Sequence, residues 1–198
     1  MSSKAAAGVR RQSLIDATAA CLADAGAAAT SVRSICGRAG VSPGLLTHYF
    51  SGVDALIAET YRATAGRVSQ VLTAAMEAAG DEPRARLFAF ITANFRPPIV
   101  DRSLLATWLA FWSLVKTNPE IAVIHRETYR DYRADLERLL LGCGCRAEDA
   151  GPFAIAITAL VDGLWLELSL DPTTFSPEQA NAMAVGWLDA LLERPQPS

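Results

Sequence analysis

The chain has 198 residues, 51% of them apolar and 20% charged, with a formal net charge of −3. No run of alternating β-branched residues appears and no stretch approaches about 18 uninterrupted apolar residues, so the expected class is all-α with no membrane-spanning helix. The charge is uneven: Lys4, Arg10, Arg11, Arg33 and Arg38 against Asp16 and Asp24 give residues 1–50 a net +3 and leave −6 for the rest, which fits a basic DNA-binding head on an acidic body and equally a chance clustering of solvated surface charge.

The first 13 residues lack the apolar core of a signal peptide, so a cytoplasmic protein is expected. A first helix is expected over residues 9–25, with Leu14, Ile15, Thr18 and Leu22 inward, stopped by Gly26. Residues 30–56 then read as two short helices joined by a tight turn. Val32, Ile35, Cys36 and Ala39 recur at helical spacing, Gly40-Val41 breaks the pattern, and Ser42-Pro43 restarts it toward Leu45, Leu46, Tyr49 and Phe50. Ser42 suits an N-cap and Pro43 the first helical position, where its missing N–H is no loss. Pro43, Gly44, Thr47 and His48 are left facing outward, as in a recognition helix that lies in the major groove. Further helices are expected over residues 54–79, from Pro83 to before the breaker Arg96-Pro97-Pro98, and over residues 102–116, 119–141, 147–170 and 177–192, with residues 194–198 a frayed tail.

The stretch GRAGVSPGLLTHYF, residues 37–50, resembles the helix-turn-helix of the TetR family of one-component repressors. That resemblance implies a DNA-binding head over residues 1–53 and a helical ligand-sensing and dimerisation body over residues 54–198. Two recognition helices of a homodimer would enter successive major grooves of a palindromic operator, and a small molecule would release them. Thr30, Ser31 and Arg33 are then placed for phosphates, while Ser42, Pro43, Gly44, Thr47, His48 and Tyr49 carry the remaining DNA contacts. Val53 stands where the family has a phosphate-gripping lysine, and Thr47 where it usually has Tyr; Ser51 and Asp54 are spaced to cap the following helix. In the body, Leu109-Ala110-Phe111-Trp112 followed by Asn118-Pro119, and residues 160–166 (LVDGLWL), resemble the C-terminal domain of the BetI-type, choline-responsive repressors. This implies that the last two helices pair with a second subunit in a four-helix bundle.

The residues themselves support such pairing. Phe153, Ile155, Ile157, Leu160, Val161, Leu164, Trp165 and Leu168 make the eighth helix apolar almost all round, and Met183, Val185, Trp187, Leu188, Leu191 and Leu192 line the ninth. A helix of that kind needs cover on every side, which a two-fold interface supplies. For the effector, Trp108, Phe111 and Trp112 share one helix face, Tyr129 and Tyr132 another, and Asp162 and Trp165 a third. Aromatic rings beside a carboxylate suit a choline-like cation through cation–π attraction; a plain apolar cavity for an uncharged compound uses the same residues, and Asp162 can instead pair with Arg130 or Arg133. The mixed charges along residues 126–138 read as a solvated, ion-paired face.

Cys21 and Cys36 read as small buried hydrophobes; Cys143-Gly144-Cys145 has no second thiol pair or neighbouring histidine to make it a metal or redox centre, and no cofactor is expected. His48 and His125 are the two histidines, neither beside a nucleophile motif or phosphate loop, and His125 and Glu127 point apart on a helix. A transcriptional repressor is therefore expected rather than an enzyme. The alternative is a helix-turn-helix regulator that activates, or that acts through a protein partner without an inducer.

Overall fold

The structure is a computed structural model that describes residues 3–193; the expected frayed tail lies outside them. The described residues form helices and turns only: α1 (Ser3–Ala29), α2 (Val32–Ala39), α3 (Pro43–Tyr49), α4 (Val53–Ala78), α5 (Pro83–Ala93), α6 (Arg102–Leu114), α7 (Pro119–Gly142), α8 (Ala147–Leu170) and α9 (Pro177–Leu192). α1 is interrupted at Gly26, whose φ of 73° is open to glycine but strained for other residues. Thr30 then closes the break, its Oγ1 donating to the Gly26 carbonyl at 2.9 Å.

The chain divides into two compact units, one of Met1–Gly66 with Arg102–Arg126, the other of Arg67–Asp101 with Glu127–Ser198. In the first unit α2 and α3 pack on α1 through Leu14, Cys21, Ile35, Cys36, Leu46 and Phe50. α6 also packs on α1, and Thr107 Oγ1 donates to the Ala19 carbonyl at 3.2 Å. In the second unit α9 packs against α5 and α8, with Arg84 paired to Asp189 at 2.5 Å.

α8 is, among the described residues, the one helix long and apolar enough by length and composition to cross a membrane, with a mean hydropathy of 1.7. Counting uninterrupted apolar residues hides this, because Asp162 and Glu167 break the run. Nor is α8 covered on all sides, as its composition led one to expect. Ile157, Val161, Trp165 and Leu168 are buried, whereas Ile155 is 61% exposed and Leu170 66%. On α9, Leu188 and Leu191 are core while Met183 (45%) and Trp187 (37%) face out.

Candidate nucleic-acid interface and effector residues

Local chemistry sets the helix-turn-helix. Ser31 and Ser34 cap α2 reciprocally: the Ser34 N–H donates to Ser31 Oγ at 3.2 Å and the Ser31 N–H to Ser34 Oγ at 2.9 Å. Gly40 ends α2 in the left-handed region (φ 64°, ψ 34°), and the Val41 N–H returns to the Cys36 carbonyl at 3.1 Å. Ser42 takes the cap position of α3 with extended backbone, but its side chain makes no cap bond; Pro43 follows in the first turn as expected. Phe50, Ser51 and Gly52 lead into α4. Gly52 (φ 146°), not Ser51, takes the cap position there, its carbonyl accepting from the Leu56 N–H at 3.2 Å, because that backbone conformation disfavours any side chain.

The outward face matches the expectation in most respects. Ser31, Arg33, Ser42, Pro43, Gly44, Thr47 and His48 are exposed and Tyr49 is half-buried, its ring meeting His48 edge-on at 4.9 Å. Thr47 Oγ1 donates to the Gly44 carbonyl at 3.1 Å. Thr30 differs: it is buried and its hydroxyl is engaged at Gly26, so it braces the entry to α2 instead of lying open to a partner. Arg38 pairs with Asp24, and Arg11 pairs with Glu59 at 2.6 Å while lying over the Phe50 ring at 5.3 Å.

The aromatic residues expected to line one effector site divide between the units. Trp108 and Phe111 are buried in the first. They pack on Tyr61 of α4, whose ring lies flat on Phe111 (centroids 4.3 Å apart, planes at 2°) and edge-on to Trp108 at 5.5 Å. Trp112 is half-buried on the same helix. Tyr61 OH lies 3.1 Å from His125 Nδ1. Three residues further along α4, the buried Thr64 Oγ1 has no hydrogen-bond partner among the described residues.

In the second unit, burial pushes the Asp162 carboxyl up to about 6, against the Tyr129 hydroxyl hydrogen-bonded to it and the nearby Arg133 guanidinium, which both favour the carboxylate. Arg133 is thus the arginine beside Asp162, while Arg130 pairs with Asp131 at 2.9 Å. Burial and the Asp162 charge together drive the Tyr132 phenol well above its usual range. The buried Asn94 amide reaches Tyr132 OH at 3.4 Å, and Trp165 Nε1 donates to the Asn94 carbonyl at 3.0 Å. Tyr61 and Asn94 escaped the sequence reading because neither belongs to a motif; an amide at the end of an apolar helix was the available signal for Asn94.

Burial raises both the Cys143 and the Cys145 thiols, the opposite of what a reactive thiolate needs. No group of three His, Cys, Asp or Glu side chains among the described residues is placed to hold a metal.

Residues 14–60 match the profile of bacterial regulatory proteins of the tetR family, and residues 83–193 that of the C-terminal part of BetI-type transcriptional repressors. The chain belongs to the TetR family. It is 34% identical over 186 residues to the HTH-type transcriptional regulator BetI of Burkholderia mallei, covering 93% of this chain and 94% of that one. A transcriptional regulator of Pseudomonas aeruginosa PAO1 shares its fold with a TM-score of 0.85 at 42% identity, covering 94% of this chain and 92% of that one. A regulator from Saccharomonospora viridis, solved in complex with choline, matches with a TM-score of 0.81 at 16% identity (92% and 96% covered), a likeness of fold alone. This TetR-family chain is accordingly a BetI-type transcriptional repressor and not an enzyme, and α2–α3 is its DNA-binding helix-turn-helix.

Proposed function

We propose that the protein is a cytoplasmic, ligand-responsive repressor that binds a palindromic operator as a homodimer and is released by a small organic cation. In this reading residues 1–53 are the head. Pro43, Gly44, Thr47 and His48 meet base edges, Ser31, Arg33 and Ser42 meet phosphates, and Tyr49 supports His48 from the flank. Residues 54–198 sense and dimerise, with the apolar residues that α8 and α9 leave exposed (Ile155, Leu170, Met183 and Trp187) covered by a second copy of the chain.

The observation that carries the effector assignment is Asp162: a half-buried carboxylate whose charge burial disfavours, held by the Tyr129 hydroxyl with Arg133 and the Tyr132 phenol near it. Such a group gains from a cation that brings its charge without demanding water, and the phenol rings supply faces for it. Choline, with which the S. viridis regulator was solved, answers that description. Trp108 and Phe111 are engaged with Tyr61 in the first unit and are left out of this assignment. Binding need only favour one of two dimer conformations to change operator affinity.

Calorimetric titration of choline at pH 8 tests the reading. Heat with the wild type that disappears in Asp162→Asn supports it. No heat with choline, together with operator release by an uncharged apolar compound, replaces the cation with a neutral effector.

A further inference from the structure

The first unit fastens the DNA-reading helices to parts of the chain distant in sequence. Three residues separate α3 from α4, so the rotation and height of α4 govern how α3 is presented. Tyr61 is fully buried on α4. Its flat ring contact with Phe111 resists tilting, yet stacked rings slide and turn over one another at little cost. A hydrogen bond is directional, and the 3.1 Å contact of Tyr61 OH with His125 Nδ1 on α7 selects one register of α4. α6 itself is pinned to α1 by Thr107 Oγ1 on the Ala19 carbonyl, so Tyr61 is set between a helix tied to the head and the start of α7.

We infer that Tyr61 and His125 are positioning residues for DNA recognition: the bond between them fixes the pose of α3 and thereby the preference for operator over other DNA, although neither touches DNA.

Another polar link across these helices is of a different kind. Arg62 and Glu120 also join α4 to α7, at 3.2 Å, but their side chains are 47% and 48% exposed, and such pairs hold geometry weakly because water replaces either partner. The Tyr61 hydroxyl has no access to solvent, so a lost partner is not made good by water. His125 has no catalytic role in a repressor, and positioning accounts for its place on Tyr61.

The test uses the full-length protein and two duplexes: one selected by the wild type from a random-sequence pool, and a scrambled duplex of equal length. Tyr61→Phe keeps the ring on Phe111 and removes the bond. It should lower the selected-to-scrambled affinity ratio about fivefold, with scrambled-duplex affinity unchanged, and His125→Ala should do the same. Combining the two should cost no more than either alone. His125→Asn, whose amide oxygen lies near the position of Nδ1, should recover at least half of the ratio, and Glu120→Gln should stay within twofold of wild type. Equal losses on both duplexes, additive single effects, no recovery in His125→Asn, or an unchanged ratio in a folded Tyr61→Phe protein each overturn the assignment.

Discussion

Asp162→Asn removes a carboxyl that burial pushes from 3.8 up to about 6. The native state therefore holds that proton about two pH units more tightly than the unfolded chain, which at about 1.36 kcal/mol per unit is about 3 kcal/mol. Since the native state binds the extra proton, this group's contribution to stability is full below about pH 4. It falls as pH rises to about 6 and stays low above that. Asn is uncharged throughout and its Oδ1 can still accept from Tyr129. Relative to wild type, the variant should thus gain about 2 to 3 kcal/mol between pH 4 and pH 8. Urea unfolding at fixed protein concentration across that range measures it, because other titrations cancel in the wild-type-minus-variant difference. A difference that does not change with pH, or one that moves toward the wild type at pH 8, refutes the account of Asp162 as a desolvated carboxylate.

Thr64→Val should raise stability by about 1 kcal/mol in the same urea assay, because it deletes a buried hydroxyl without a partner; Thr18, Thr60, Thr107 and Thr158 each bond the carbonyl four residues back at 2.7–2.8 Å, and Thr64 does not. A destabilised variant would show that the hydroxyl is satisfied. Arg33→Ala should weaken binding to every duplex and lower the salt slope by about one, whereas Thr47→Ala should change the preferred sequence, both read by titration at several salt concentrations; unchanged affinity in both variants removes α2–α3 as the contact surface. Trp187→Glu should yield monomers by light scattering and lose operator binding while the chain stays folded, since Trp187 faces outward. Leu188→Glu should instead unfold it, because Leu188 is core.

The helix-turn-helix was legible because its determinants are local. Gly40, which breaks the pattern in a left-handed turn, and Pro43 in a first turn act within a few residues of themselves, and the helices fall within a residue or two of where the pattern puts them, whereas the Ser31 cap went unread. The ends of α8 and α9 were legible for the same reason. Side-chain fate was less so. Ser42 reaches the cap position without capping, because a cap bond depends on a rotamer that spacing does not specify, and Thr30 turns back to Gly26. The aromatic box shows the limit most clearly. Spacing of three and four places Trp108 and Phe111 on one face, but what that face meets depends on Tyr61, some fifty residues earlier, which no local pattern announces.

The same distinction bears on α8, whose composition fits both a membrane span and a dimer face. A spanning helix in hydrocarbon needs apolar cover all round, and Asp162 at its middle would carry the cost of a buried carboxylate with nothing in lipid to offset it. In this fold Asp162 faces the Tyr129 hydroxyl and Arg133 of its own chain, while the exposed apolar residues Ile155 and Leu170 lie about two turns before and after it along the helix. The polar demand of α8 is therefore met within its own chain, where α7 supplies the groups that hold the carboxylate, while the apolar residues it leaves exposed are those that the proposed second copy of the chain would cover.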